Sequence, residues 1–352
     1  MIDGLPLLPV QSIGSAAVPG WIWLVRDAVA ASTLGPADVL EAQRDAAELA
    51  LREMTETGYD IVSDGELLRA DFTWNFHDRI DGLERVEVER RLGYPGPDQV
   101  DTFRCVRPLT VPQGYGLAAE VGYVRTRTSR PFVTALQSPT TQAFRIDPGE
   151  VYADKREVAR ALVPFVNREL RAAVAAGARY VQLDEAAFWS VTGGLDDLAA
   201  TVSACFEGVE ATRALHLCFG NFRGRAATSD RSYTRIAPYL AKLAVDVVHL
   251  EFAGRGMAEV DVWAEHGGDK VLCAGVIDVK GRTVEPVEVV AGRIRMLLRS
   301  VRPDRLWLAS DCGFSQTARP LALGKMRALV AAAELVRGEL AQGQFPAGGG
   351  VP

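Results

Sequence analysis

Four side chains have the types and spacing of a metal site: His216 and Cys218 in HLCFG, Glu251 in HLEFAG and Cys312 in SDCGF, each at the end of an apolar run. Two thiols, an imidazole and a carboxylate suit zinc. Residues two apart on a strand point to the same face, so His216 and Cys218 can hold one ion together. Glu251 and Cys312 must arrive through the fold. Spacing alone leaves a second reading open, because no C-x-x-C pair is present and a buried cysteine often only fills space. That space-filling reading is the expectation for Cys105, Cys205 and Cys273.

The elements that must position these groups can be read from the apolar runs at 8–15, 59–66, 131–139, 179–185, 214–220, 245–253, 270–278 and 305–313. Short runs rich in Val, Ile and Leu, without polar alternation, suit strands of a parallel sheet covered on both faces. Helical patterns lie between most of them, such as 36–57, which starts at Pro36 and stops at Gly58, and 155–176, which stops at Gly177. Eight such units predict a (β/α)8 barrel, whose active site gathers at the C-terminal strand ends. Polar residues stand there in most runs, including Ser15, Glu66, Asp184, His216, His249, Glu251, Asp278, Lys280 and Cys312. A doubly wound open sheet is the competing architecture. It needs a glycine-rich phosphate turn, and SIGSAAVPG does not match G-x-G-x-x-G. Residues 1–340 are therefore expected to form one barrel, with 80–130 a hairpin-bearing excursion over its mouth and 341–352 a flexible tail.

Composition narrows the class. The chain has 352 residues, 48% of them hydrophobic, with 39 basic against 45 acidic side chains and a net charge of −6. No long basic block is present, which argues against a nucleic-acid partner. Five dispersed cysteines argue against a disulfide framework and for a reducing cytoplasm. No apolar stretch approaches the ~20 residues that span a bilayer, and the N-terminus lacks a basic leader. The expectation is a cytoplasmic enzyme without a membrane partner.

The motifs SIGS, SDGELLRADF, FRCVRP, VQLDEAAF, HLCF, HLEF, GVIDVK and SDCG, in this order, resemble the C-terminal catalytic half of cobalamin-independent methionine synthase. The resemblance runs from about residue 10 to 340 and implies the same barrel. It implies zinc held by His216, Cys218, Glu251 and Cys312, and transfer of a methyl group to the zinc-bound thiol of homocysteine. It also places the substrate amino group at Glu66 and Asp184, with Asp64 and Glu185 in support, and the substrate carboxylate at Ile13, Gly14 and Ser15. Both contacts would be charge-assisted hydrogen bonds. A structural ion pair of Glu66 with Arg69 is the alternative for that residue. The ligand set fits the chemistry, since a free thiol is mostly protonated at neutral pH while the thiolate is the nucleophile. Two cysteinates and a glutamate leave the site electron-rich, better suited to alkyl transfer to sulfur than to activating water. A closed structural zinc site is the alternative.

The sequence also departs from the family pattern. The full-length synthase has a second, N-terminal barrel that helps bind methyl-folate, and the resemblance covers the catalytic half alone, so a single-barrel form is expected. Arg104 matches the arginine of the family's R-C-V-K/R-P-P motif, but Leu109 replaces its second proline, and Phe144 falls where a tryptophan stacks on the pterin. Lys280 replaces the histidine that handles a proton. A folate nitrogen must be protonated before its methyl group leaves, whereas a corrinoid donor has no such need. Donor binding is thus expected at Arg104 and Phe144, and proton handling at Lys280, Asp278 or His249. His249 shares an inward face with Glu251 and can instead be a buried layer residue. The donor is expected to be 5-methyltetrahydrofolate or a methyl-corrinoid protein. Two other readings are an epoxyalkane:coenzyme M transferase-like enzyme, disfavoured by two carboxylates facing a sulfonate, and a non-catalytic zinc-containing accessory protein.

Overall fold

Eight parallel strands close on themselves. The computed structural model describes residues 2–69, 75–88, 101–191, 195–221, 224–315 and 317–343. Six strands form one ladder in the order Thr134–Gln137, Tyr180–Glu185, Thr212–Leu217, Val247–Glu251, Val271–Ile277 and Leu306–Ser310. Parallel bridges of Val10 with Leu308, Gln11 with Ile61 and Val62 with Phe132 add two further strands and return the ladder to its start. The seam is hydrogen-bonded throughout: Gln11 N donates to Leu308 O at 2.8 Å, Ser12 N to Ile61 O at 2.9 Å and Val133 N to Val62 O at 2.9 Å. The chain is a (β/α)8 barrel, and each of the eight apolar runs supplies one strand. We number these strands one to eight in chain order.

Helices cover the outside, which is why the strands carry apolar residues on both faces; all seven residues of Val271–Ile277 are buried. Helix Pro36–Thr57 begins with proline, whose missing N–H costs nothing in the first turn, and ends at Gly58 in the left-handed region at φ 102°. Helix Lys155–Ala175 is capped by Asp154, whose carboxylate accepts from Arg156 N and Glu157 N, both at 2.9 Å.

Strand parity sorts the interior into layers. Ile61, Val133, Tyr180, Ala214, Val247, Val271, Cys273 and Trp307 fill the floor. Two residues further along their strands stand Gln182, His216 and His249, and beyond them Asp184, Cys218 and Glu251. The interior therefore turns from apolar to polar toward the C-terminal end. Cys105, Cys205 and Cys273 are buried, unpaired thiols.

The barrel rhythm breaks after strand two. Asp81–Val86 pairs antiparallel with Thr102–Thr110, and the second of these pairs in parallel with Ile146–Asp147, just beyond strand three. This hairpin and helix Leu117–Val124 occupy the 80–130 excursion, of which 89–100 lie outside the described residues. Residues 344–352, most of the expected flexible tail, also lie outside them.

Behind strand seven, Lys325 is wholly buried. Its ammonium donates to Glu285 Oε2 at 2.6 Å and to Asp278 O at 2.9 Å, while Glu285 Oε1 accepts from Asp278 N at 2.8 Å. Without Lys325, Glu285 keeps only Arg293 as an ion-pair partner among the described residues, 3.2 Å from its Oε1, and Asp278 O loses this donor. Lys325→Met should therefore lower stability by about 2 kcal/mol; a urea midpoint close to wild type would contradict this account.

Candidate metal and thiol site

At the C-terminal end of strands five and eight, one nitrogen of His216 and the sulfurs of Cys218 and Cys312 lie within 4.8 Å of one another. The two sulfurs are 3.8 Å apart. A disulfide bond is about 2.05 Å, whereas two thiolates on one tetrahedral zinc, each bond about 2.3 Å, stand about 3.8 Å apart. His216 Nδ1 is bonded to Asp184 Oδ1 at 2.9 Å, leaving buried Nε2 without a hydrogen-bond partner among the described residues. A carboxylate on one imidazole nitrogen that frees the other is the usual support of a metal-binding histidine. These donors fit a thiophilic divalent metal.

Glu251 ends strand six with its side chain fully buried, but it does not join the three-atom cluster. Its Oε2 accepts from Lys280 Nζ at 3.1 Å; Oε1 has no hydrogen-bond partner among the described residues, and Arg231 Nη1 stands 3.8 Å from it. Tyr233 ties strands five and six at this point, accepting from Glu251 N at 2.8 Å and donating to Leu217 O at 3.0 Å. Beside Cys312, the buried Asp311 accepts from three successive backbone N–H groups, Phe252 and Ala253 at 3.0 Å and Gly254 at 2.6 Å. Asp311 thereby fixes the turn after Glu251 relative to Cys312.

The substrate-binding expectation falls on a neighbouring group. Ser15 Oγ donates to Glu66 Oε2. Burial pushes the Glu66 carboxyl up to about 7 against the pull of Arg69, with the charges of Asp184 and Asp64 adding to the rise. Arg69 lies 3.5 Å from Glu66 but forms its fork with Glu120, at 3.1 Å through both Nε and Nη2. Burial likewise pushes Glu185 up to about 7; its oxygens accept from the hydroxyls of Ser138 and Thr141, and it holds the start of the loop after strand four. Glu66 itself has φ 59°, a left-handed conformation that costs a non-glycine residue about 1–2 kcal/mol. Gly65 before it is required, because a Cβ would stand 2.4 Å from that of Ala16. A Cβ on Gly313 would lie 2.5 Å from Ser15 N, so the turn carrying Cys312 rests directly on the one carrying Ser15.

The remaining expected residues are spread more widely. His249 lies beneath His216, ring centroids 4.5 Å apart, with Nε2 at 2.9 Å from Ser310 O; burial and the His216 charge hold it well below the ordinary imidazole range. Asp278 Oδ1 accepts from Lys280 N at 2.8 Å and so shapes the turn that presents Lys280. Arg104 pairs with Asp147 at 2.9 Å on the hairpin, its side chain half exposed. Phe144 meets Trp189 edge-on, centroids 5.5 Å apart, and lines a cavity of about 270 Å³ among helices Pro139–Ala143, Lys155–Ala175 and Asp196–Cys205. Among the described residues, Arg104 and Phe144 make these contacts away from the thiol cluster. Arg231 and Tyr233 were not anticipated; both sit in a polar stretch, and nothing in its pattern marks them.

Burial lowers the basicity of His216, but its hydrogen bond to Asp184 and the neighbouring Cys312 sulfur prevail and push the imidazole up to about 10. Cys218 and Cys312 share a proton, which holds Cys312 well below the usual thiol range and Cys218 well above it. A metal must displace protons from His216 and Cys218, so its apparent affinity should rise with pH across neutrality. Calorimetry in buffers of different ionisation enthalpy measures the release; buffer-independent heats and a flat affinity would oppose the assignment.

The sequence profile of the family described as "Cobalamin-independent synthase, Catalytic domain" matches residues 8–335. A methionine synthase of Saccharolobus islandicus is 30% identical over 342 residues, covering 96% of this chain and 97% of its own. The structure of a B12-independent methionine synthase from Shewanella sp. W3-18-1 in complex with selenomethionine superimposes with a TM-score of 0.83 at 27% identity, over 96% of this chain and 99% of that one. A methyltransferase from Methanosarcina mazei, 15% identical, shares the fold with a TM-score of 0.63, over 96% and 95% of the two chains. Among the described residues, no helix is long and apolar enough to cross a membrane.

Proposed function

This chain belongs to the cobalamin-independent methionine synthase family, as a form of its catalytic domain, and from that membership we propose that it is a zinc-dependent S-methyltransferase converting homocysteine to methionine. The convergence of His216, Cys218 and Cys312 beside the buried Glu66 and the part-buried Asp184 carries the reading. Zinc, held by these three with Glu251, would keep the substrate sulfur as a thiolate at neutral pH. Asp184 orients His216 from behind, while Glu66 and Asp184 offer the ammonium group of an amino acid two anions. The backbone from Ile13 to Ser15, held against Gly313, lies beside them to take the carboxylate. The selenomethionine in the Shewanella structure supports an amino-acid thiol as acceptor. A sulfonate thiol would meet like charge at Glu66 and Asp184.

Lys280 bears on the donor. Burial would make its ammonium easier to deprotonate, but Glu251, Cys312 and Asp311 prevail and raise it above the ordinary lysine range. A cation held this firmly is a poor proton donor near neutrality, which favours a donor whose leaving group needs no proton. We therefore assign methyl transfer from a methyl-corrinoid protein, delivered as substrate rather than held as a cofactor, ahead of methyl-folate bound at Arg104 and Phe144.

Zinc-loaded protein given homocysteine and methylcobalamin should form methionine; no methionine with either methylcobalamin or 5-methyltetrahydrofolate, at full zinc occupancy, would refute the assignment. Glu66 must be ionised to receive an ammonium, and burial places its titration near pH 7. The KM for homocysteine should accordingly fall as pH rises through about 7, and Glu66→Gln should raise KM roughly tenfold to a hundredfold and flatten that dependence. An unchanged KM profile would remove Glu66 from the substrate site.

A further inference from the structure

Lys280 and Glu251 form a buried ion pair at the edge of the thiol cluster. Nζ and Oε2 are 3.1 Å apart, and the two side chains are 9% and 0% exposed. The lysine arm springs from a braced turn: its own N–H is held by Asp278 Oδ1 at 2.8 Å, Asp278 N by Glu285 at 2.8 Å, and Asp278 O by the buried ammonium of Lys325 at 2.9 Å. Glu251 is braced from the other side by Tyr233 and by the Asp311-bound turn that follows it. Its side chain thus stands between a fixed cation and a cluster of three donor atoms that it does not join.

We propose that Lys280 competes with the metal for Glu251 and is the resting partner of its carboxylate; the inference builds on the zinc reading given above. Charge explains the need. Two thiolates already balance a divalent ion, so a carboxylate and a substrate thiolate held there together would leave two excess anions in a buried site. A carboxylate displaced into a buried space needs a cation at hand, or its desolvation opposes the displacement. Lys280 supplies that cation within hydrogen-bond reach. Were a substrate thiol to join the site after losing its proton to solvent, Lys280 would hold the Glu251 carboxylate it already contacts and so offset the added negative charge. Lys280 acts through Glu251 and is a positioning residue.

Zinc affinity, measured by competition with a chromophoric chelator, tests this without turnover. Lys280→Met should bind zinc roughly tenfold more tightly than wild type, because Glu251 is released to the metal. Lys280→Arg, which retains the cation, should stay near wild type. In a Glu251→Gln background, adding Lys280→Met should change nothing. Equal tightening with and without Glu251 would reduce the effect to general charge repulsion and overturn the proposal, as would a wild-type affinity for Lys280→Met. Lys280→Gln replaces the methionine variant if that fails to fold. Failure of the wild-type protein to bind zinc would overturn the zinc reading and this proposal together, whereas tight binding indifferent to Lys280 would overturn this proposal alone.

Discussion

Burying acids and thiols at one end of a barrel demands a positive partner for each, and the local architecture of the mouth answers that demand. A buried anion without a donor or cation either costs several kcal/mol or takes up a proton. Asp311 is met by three backbone N–H groups, Glu251 by Lys280, and Glu66 by Ser15 and the nearby Arg69. His216, Cys218 and Cys312 gather around one point, with Asp184 behind the imidazole and the Lys280 charge near Cys312. Among the described residues, the buried Nε2 of His216 has no hydrogen-bond partner beside the two sulfurs, and a cation would fit there.

Much of this was legible in the sequence, because a closed parallel barrel writes itself as repeated apolar runs ending in polar residues. The strand positions followed from that rhythm, and the pairing of His216 with Cys218 followed from parity. The run at 8–15 shows where such reading stops. Only Val10 and Gln11 pair as strand one, and from Gly14 on the chain turns across the mouth to rest on Gly313. Contacts made by lone residues from unrelated loops left no periodic trace. Arg231, Tyr233 and Lys325 each reach the site or its supports through tertiary placement alone, and Lys325 looks like any helix lysine until its burial is known.

The departures from the family pattern gain physical content from their surroundings. Lys280 reads from the sequence as a lost proton carrier, but in the fold it is the partner of a candidate ligand. Phe144 stands against Trp189 beside a cavity outside the thiol cluster, and Arg104 is engaged by Asp147 on the hairpin. The groups around the thiol cluster are compact and cross-braced. Arg104 and Phe144 instead stand on the hairpin of the excursion and at the end of helix Pro139–Ala143.

The seam of the barrel has a consequence for how the protein is made. Strand one pairs with strand eight through Val10 and Leu308, and the turn bearing Ser15 is packed on the turn bearing Cys312. A nascent chain therefore has neither a closed barrel nor the donors His216, Cys218 and Cys312 together until strand eight and the turn after it have been synthesised. A single closing event then joins strand one to strand eight.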